Sequence, residues 1–80
     1  MGEREKQYKG SVSYAKLWEL LQSQGKNKKW LRDAPNNLSP TIIKRLTDNT
    51  NVAVDTIMFL CEILHCQPSD IMEYKEPESK

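Results

Sequence analysis

Cys61, His65 and Cys66 are the residues best suited to hold a metal or act as a nucleophile, and they follow one another as C-x3-H-C. A structural zinc site closes with about four converging ligands, and a catalytic one keeps about three from the protein. Cys61 and His65 share a helix face, but no fourth ligand is evident and Cys66 falls near the helix end. No metal site is therefore expected. Cys61 lies on an apolar stripe and is expected to be buried, while His65 near a helix C-terminus suits the negative end of the helix dipole. The chain has no second histidine, no glycine-rich phosphate loop and no carboxylates paired on a shared face of the core. The expectation is a protein that is not an enzyme and binds no cofactor. A small helical chain also has little room for the deep pocket a small-molecule substrate uses.

The cations carry more information. Residues 1–47 hold ten lysines and arginines against four acids, and residues 48–80 hold two against seven, so a net charge of +1 conceals two oppositely charged halves. A basic half points to an anionic partner. Lys28 and Lys29 fall in the first turn of a short helix, where each cation costs roughly 0.3–1 kcal/mol against the helix dipole. A purely structural helix places Asp or Glu there. With Lys26 just before them and Arg32 after, the group makes sense if a phosphate docks at that helix start. Simple solvated lysine is the alternative.

The elements that must position these cations are helices. Residues 38–48 read as the one around which the rest is arranged. Ser39 is a good N-cap and Pro40 suits the first helical position. At about 100° per residue, Leu38, Ile42, Ile43 and Leu46 fall within roughly 140° of arc. Pro40, Thr41, Lys44, Arg45, Thr47 and Asp48 occupy the other side. A helix held from behind, with a basic and hydrogen-bonding front, meets the requirement for entering a DNA groove; the plain alternative is a solvated face. Before it, Asn27 is expected to cap a helix from Lys28 to about Ala34, which buries Trp30, Leu31 and Ala34 and which Pro35 stops. Asn36-Asn37 then supplies a turn, one asparagine of which is expected at positive φ. Two short helices joined this way read as a helix-turn-helix or as an ordinary corner of a bundle.

Elsewhere, Ser13 is expected to cap a first helix with Tyr14, Leu17, Trp18 and Leu21 at i, i+3, i+4 and i+7, closed by Gly25 in the left-handed region. Val54 to His65 forms a longer helix with Val54, Ile57, Met58, Leu60, Cys61 and Leu64 inward, and Ala53 is a poor cap for it. Gln67-Pro68-Ser69-Asp70 restarts a short last helix, with Ile71 and Met72 reaching back to the core. No strand pattern is visible. Residues 1–12 read as a mobile arm, 13–74 as one domain and 75–80 as a frayed tail.

Eighty residues allow one domain. Such a chain buries only about 60% of its unfolded surface, which leaves dimerisation open. No apolar run approaches the roughly 20 residues of a membrane span. No apolar segment follows the charged N-terminus, so no signal peptide is expected. Two cysteines without an export signal fit reduced thiols in a cytoplasmic protein.

The ordered set Ser13-Tyr14-Ala15-Lys16-Leu17-Trp18-Glu19-Leu20-Leu21, Lys28-Lys29-Trp30-Leu31-Arg32, residues 38–46, Asn51-Val52-Ala53-Val54-Asp55-Thr56-Ile57, Cys61-Glu62-Ile63-Leu64 and Cys66-Gln67-Pro68-Ser69-Asp70-Ile71-Met72 resembles the lambda-repressor-like helix-turn-helix family, of the XRE or Cro type. The resemblance covers about residues 13–74. It implies an all-α, compact five-helix domain whose third helix enters the major groove of double-stranded DNA. It further implies a bacterial or phage transcriptional regulator that binds as a homodimer on two-fold symmetric sites. By position, Pro40, Thr41, Lys44 and Arg45 match base-facing residues. Ser39, the start of the second helix at Asn27, Lys28 and Lys29, and the loop with Asn49 and Asn51 match backbone contacts. Pro40 offers at most an apolar contact, so Thr41, Lys44 and Arg45 carry direct readout. Lys26 and Arg32 join the phosphate-facing set through their charge. The turn between the second and third helices is one residue longer than usual, with Asn37 and Asn49 where glycine is frequent. The rival expectation is a protein-interaction module of the same fold, anti-repressor or antitoxin-like, which the low net charge and acidic second half favour.

Overall fold

The computed structural model describes residues 9–77; residues 1–8 of the expected arm and 78–80 of the expected tail lie outside them. In chain order the described residues form strand β1 (Ser11–Ser13), helices α1 (Ala15–Ser23), α2 (Lys28–Arg32), α3 (Pro40–Thr47) and α4 (Val54–Leu64), a 3₁₀ turn (Pro68–Asp70) and strand β2 (Glu73–Lys75). The expectation of five helices and no strands is therefore corrected to a mostly helical domain with four α-helices and a two-stranded sheet. The expected last helix is reduced to the single 3₁₀ turn Pro68–Asp70. Gln67 N–H donates to Asp70 Oδ2 at 2.9 Å, and Asp70 N–H donates to Gln67 O at 2.8 Å. Ile71 then leaves helical geometry (φ −128°) and drops fully into the core.

The sheet is antiparallel, with Ser11 opposite Lys75, Val12 opposite Tyr74 and Ser13 opposite Glu73. It ties the two ends of the described chain together and crosses both expected domain boundaries, 12/13 and 74/75. Gly10 is buried beside it, where an added Cβ would collide with the Tyr74 ring and the Lys75 carbonyl. Tyr14 rather than Ser13 stands at the N-cap of α1, although Ser13 Oγ still accepts from Ala15 N–H at 3.3 Å.

The helix ends follow capping rules. Gly25 (φ 73°) closes α1, with Lys26 N–H donating to Leu21 O at 2.8 Å and Gly25 N–H to Gln22 O at 3.0 Å. Those two bonds make a Schellman cap. Asn49 (φ 59°) does the same for α3, with Thr50 N–H on Arg45 O at 2.9 Å and Asn49 N–H on Leu46 O at 3.4 Å. His65 (φ 56°) ends α4 through its backbone, and its side chain is exposed.

Tyr14, Leu17, Leu21, Leu31, Leu46, Ile57, Leu60, Leu64 and Ile71 form the buried core. The apolar stripe of α4 is wider than this core can cover. Val54 is 72% exposed and Met58 47%, and Cys61 is only half-buried, against the expectation that all three face inward. Ala34 is exposed and Trp30 half-buried, because α2 ends at Arg32 and Asp33 is already extended (ψ 162°).

Candidate nucleic-acid interface

The α2–α3 unit is built by local hydrogen bonds. Trp30 N–H donates to Asn27 Oδ1 at 3.1 Å and so fixes the start of α2. The turn between the helices, residues 33–39, passes through Asn37 at φ 53°. Within it Asn36 Nδ2 donates to Trp30 O at 2.9 Å, and Leu38 N–H donates to Leu31 O at 2.9 Å. Leu31 is fully buried and Leu38 packs on the core, so these bonds set the angle of α3 against α2. Ser39 Oγ then accepts from Ile42 N–H at 3.1 Å with Pro40 at the first position. Such a cap stabilises a helix by roughly 0.5–2 kcal/mol.

The far end of α3 is tied to α1. Asn49 Oδ1 accepts from Tyr14 N–H at 2.9 Å, and the phenol of Tyr14, itself 1% exposed, donates to Thr50 O at 2.8 Å. Helix α3 is thus fixed at both ends, by its own cap and by a buried tyrosine 36 residues away in sequence from Thr50.

Lys28, Lys29 and Arg32 of α2 and Pro40, Ile43, Lys44, Thr47 and Asp48 from α3 and its end line one groove of about 510 Å³. Four cations and one carboxylate border it. Five of the expected DNA-facing residues, Lys28, Lys29, Arg32, Pro40 and Lys44, come together here. Thr41 and Arg45 are exposed on the adjoining side of α3, as is Ser39 at its start. Lys26 and Asn27 precede α2. Asn49 has its carboxamide oxygen on Tyr14, and Asn51 borders a different groove.

The cations are held in place rather than loose. Lys29 pairs with Asp33 at 2.7 Å and Lys44 with Asp48 at 2.9 Å, each one helical turn on and each largely exposed. Exposed i,i+4 pairs contribute only about 0.3–0.5 kcal/mol, so a stronger anion displaces the carboxylate at small cost. Lys28 Nζ sits 4.8 Å from the centroid of the Trp18 ring, and Lys26 Nζ sits 4.5 Å from that of Trp30. Lys26 also donates to Gln24 Oε1 at 2.9 Å. Sequence reasoning placed both tryptophans in the core and missed them as platforms for lysine. The Lys26–Trp30 spacing of one turn was a readable signal; the Trp18–Lys28 contact crosses the Gly25 turn and had none. Ile43 and Thr47 as groove walls were also missed, and the Thr47 hydroxyl is taken up by Ile43 O at 2.9 Å.

A second groove of about 650 Å³ is mainly apolar and shares no lining residue with the first. Val54, Met58 and Tyr74, the large hydrophobic residues most exposed among those described, all border it. Among the described residues no three His, Cys, Asp or Glu side chains converge as a metal cluster, and no helix is long and apolar enough to cross a membrane.

A model of the Cro/C1-type helix-turn-helix DNA-binding domain matches residues 16–77. No curated protein matches the chain. Among solved structures, the chain is similar to the crystal structure of the transcriptional regulator VanUg, Form II. The TM-score is 0.80 at 35% identity, over 95% of this chain and 100% of that one.

Proposed function

Since the chain belongs to the Cro/C1-type helix-turn-helix DNA-binding domain family, we propose that it is a sequence-specific regulator of transcription acting on DNA in the cytoplasm. The observation that carries this reading is the shared groove: the cations of α2 and the exposed front of α3 border one concave surface. In the proposed complex α3 lies in the major groove. Lys44 or Arg45 donates to guanine O6 and N7, and Thr41 meets a base edge or a thymine methyl. Pro40 makes an apolar contact. Lys26, Asn27, Lys28, Lys29, Arg32 and Ser39 face the sugar-phosphate backbone, with Asn49 and Asn51 near it. The lysine side chains carry this contact more than the dipole of α2, which has only five residues.

A homodimer on a two-fold site completes the proposal. The apolar groove at Val54, Met58 and Tyr74 is free to take a second copy while the basic groove holds DNA, because the two share no residue. The same exposed patch favours the rival reading, a protein-interaction module of this fold.

Selection of bound duplexes from a random pool at near-physiological salt tests the assignment. A palindromic consensus is expected. Lys44→Ala should relax preference at one position by about 1–3 kcal/mol, whereas Lys28→Ala should weaken all duplexes about equally and lower the salt slope by about one. Equal affinity of wild type and both variants for every duplex would sink the DNA reading. A partner bound with little salt dependence would then favour the protein-interaction module.

A further inference from the structure

Cys61 and Cys66 serve neither a metal nor the DNA-facing groove, yet the end of α4 brings them together. His65 turns the chain through the left-handed region, and Cys66 N–H donates to Cys61 O at 3.0 Å. With standard bond lengths, that hydrogen bond keeps the two Cα atoms within about 7 Å. The Cα atoms of disulfides lie about 4.4–6.8 Å apart. In a helix end closed this way the side chains of the two bonded residues commonly meet across the cap, and Cys61 is near enough to act on the Cys66 thiol. Both residues are half-buried, so a small reagent has access to them.

We propose that Cys61 and Cys66 form a modification site for a small disulfide such as oxidised glutathione, closing to an intramolecular disulfide across the C-terminus of α4. The Cys61 thiolate attacks one sulfur of the reagent, which breaks the reagent's S–S bond. A mixed disulfide forms on Cys61, and a small thiolate leaves and takes up a proton. Cys66 then gives its proton to solvent and attacks the Cys61 sulfur, expelling the second small thiolate, which is protonated in turn. Two cysteine thiols are oxidised to one disulfide while one small disulfide is reduced to two thiols.

The order of attack follows from the surroundings. Burial, reinforced by the neighbouring Cys61, pushes the Cys66 thiol up to about 11, so Cys66 is a poor first nucleophile and acts second. Closure fastens the end of α4 to the segment that carries Gln67 and the buried Ile71. Neither cysteine borders the basic groove, so the site stands or falls independently of DNA binding.

The test is oxidation of the full chain by excess oxidised glutathione at mildly alkaline pH, followed by an acid quench and intact mass measurement. The expected product is a monomer lighter by two hydrogens, with no alkylatable thiol and a Tm higher by about 5–10 °C that reductant reverses. Cys66→Ser should stop at one mixed disulfide on Cys61. Glutathione retained on both cysteines, a disulfide-linked dimer, or thiols left free at equilibrium would overturn the proposal, as would closure without a rise in Tm. Wild-type mass alone decides the chemistry, so a variant that folds poorly leaves the test intact.

Discussion

Asn49 offers the sharpest test of how α3 is fixed. It has two separable roles: a left-handed backbone (φ 59°) that closes the helix, and a carboxamide oxygen that accepts from Tyr14 N–H at 2.9 Å. Asn49→Gly keeps the backbone freedom and removes the side-chain bond. A typical net hydrogen bond contributes about 0.5–1.5 kcal/mol, and glycine adds a few tenths through the unfolded chain. The expected loss is about 1–1.5 kcal/mol. Asn49→Ala removes the same bond and also forces a Cβ without polar compensation into the left-handed region, which costs a further 1–2 kcal/mol or so. The expected loss is then about 2–3 kcal/mol. In a domain of this size 1 kcal/mol moves Tm by roughly 4–8 °C. Alanine should therefore melt at least 4 °C or so below glycine, and glycine below wild type. Thermal and urea unfolding of the three proteins measure this directly. If alanine and glycine were equally stable, the left-handed cap would not be what limits this position; if glycine exceeded wild type, relief of the left-handed backbone would outweigh the bond to Tyr14.

Ser39→Ala should cost about 0.5–2 kcal/mol in urea unfolding, since only the Oγ bond to Ile42 N–H is lost and Pro40 remains. Asp48→Asn should leave stability within about 0.5 kcal/mol, because the exposed pair with Lys44 is lost while an unfavourable charge leaves the helix C-terminus. The same change should raise affinity for random-sequence DNA and reduce discrimination, measured by competition binding. Cys66 has its thiol raised from 9.0 to about 11 by burial in the folded chain, which favours the protonated form. Its contribution is thus fully present below pH 9 and is lost as pH rises towards 11, so alkaline unfolding should show a loss across that window that Cys66→Ser lacks.

What was legible in the sequence was local in the chain. Asn27 and Ser39 bond three residues ahead, and Gly25 and Asn37 take positive φ within their own turns, so side-chain chemistry and spacing announce them. The sheet was not legible, because strands of three residues carry too little alternation and Val12 pairs with Tyr74 across almost the whole length of the described chain. The exposure of Val54 and Met58 was hidden for a related reason. Periodicity gives the direction of the α4 stripe, while its usable width depends on how much surface the other elements supply. At the interface, Lys28, Lys29 and Lys44 could be read as an exposed cationic set. Their partners divided by distance: Asp33 and Asp48 stand one helical turn away, whereas the Trp18 ring reaches Lys28 from another helix.

Under the proposed function, the placement of acid on the basic face bears on how such a small chain would discriminate among DNA sites. Backbone phosphate attracts every exposed cation regardless of sequence, so four unopposed cations in the α2–α3 groove would favour any duplex. Asp33 and Asp48 instead satisfy Lys29 and Lys44 in the free protein. A ligand gains from either lysine only the difference between its own contact and the pair it replaces. For a single displaced phosphate contact that difference is small. For a bidentate contact to guanine, worth about 1–3 kcal/mol, it remains favourable against an exposed pair of about 0.3–0.5 kcal/mol. In the proposed complex the aspartates therefore lower non-specific attraction more, in proportion, than they lower correct readout. The modest net charge of +1 comes mostly from the acids of residues 48–80, and only Asp33 and Asp48 stand one helical turn from these lysines.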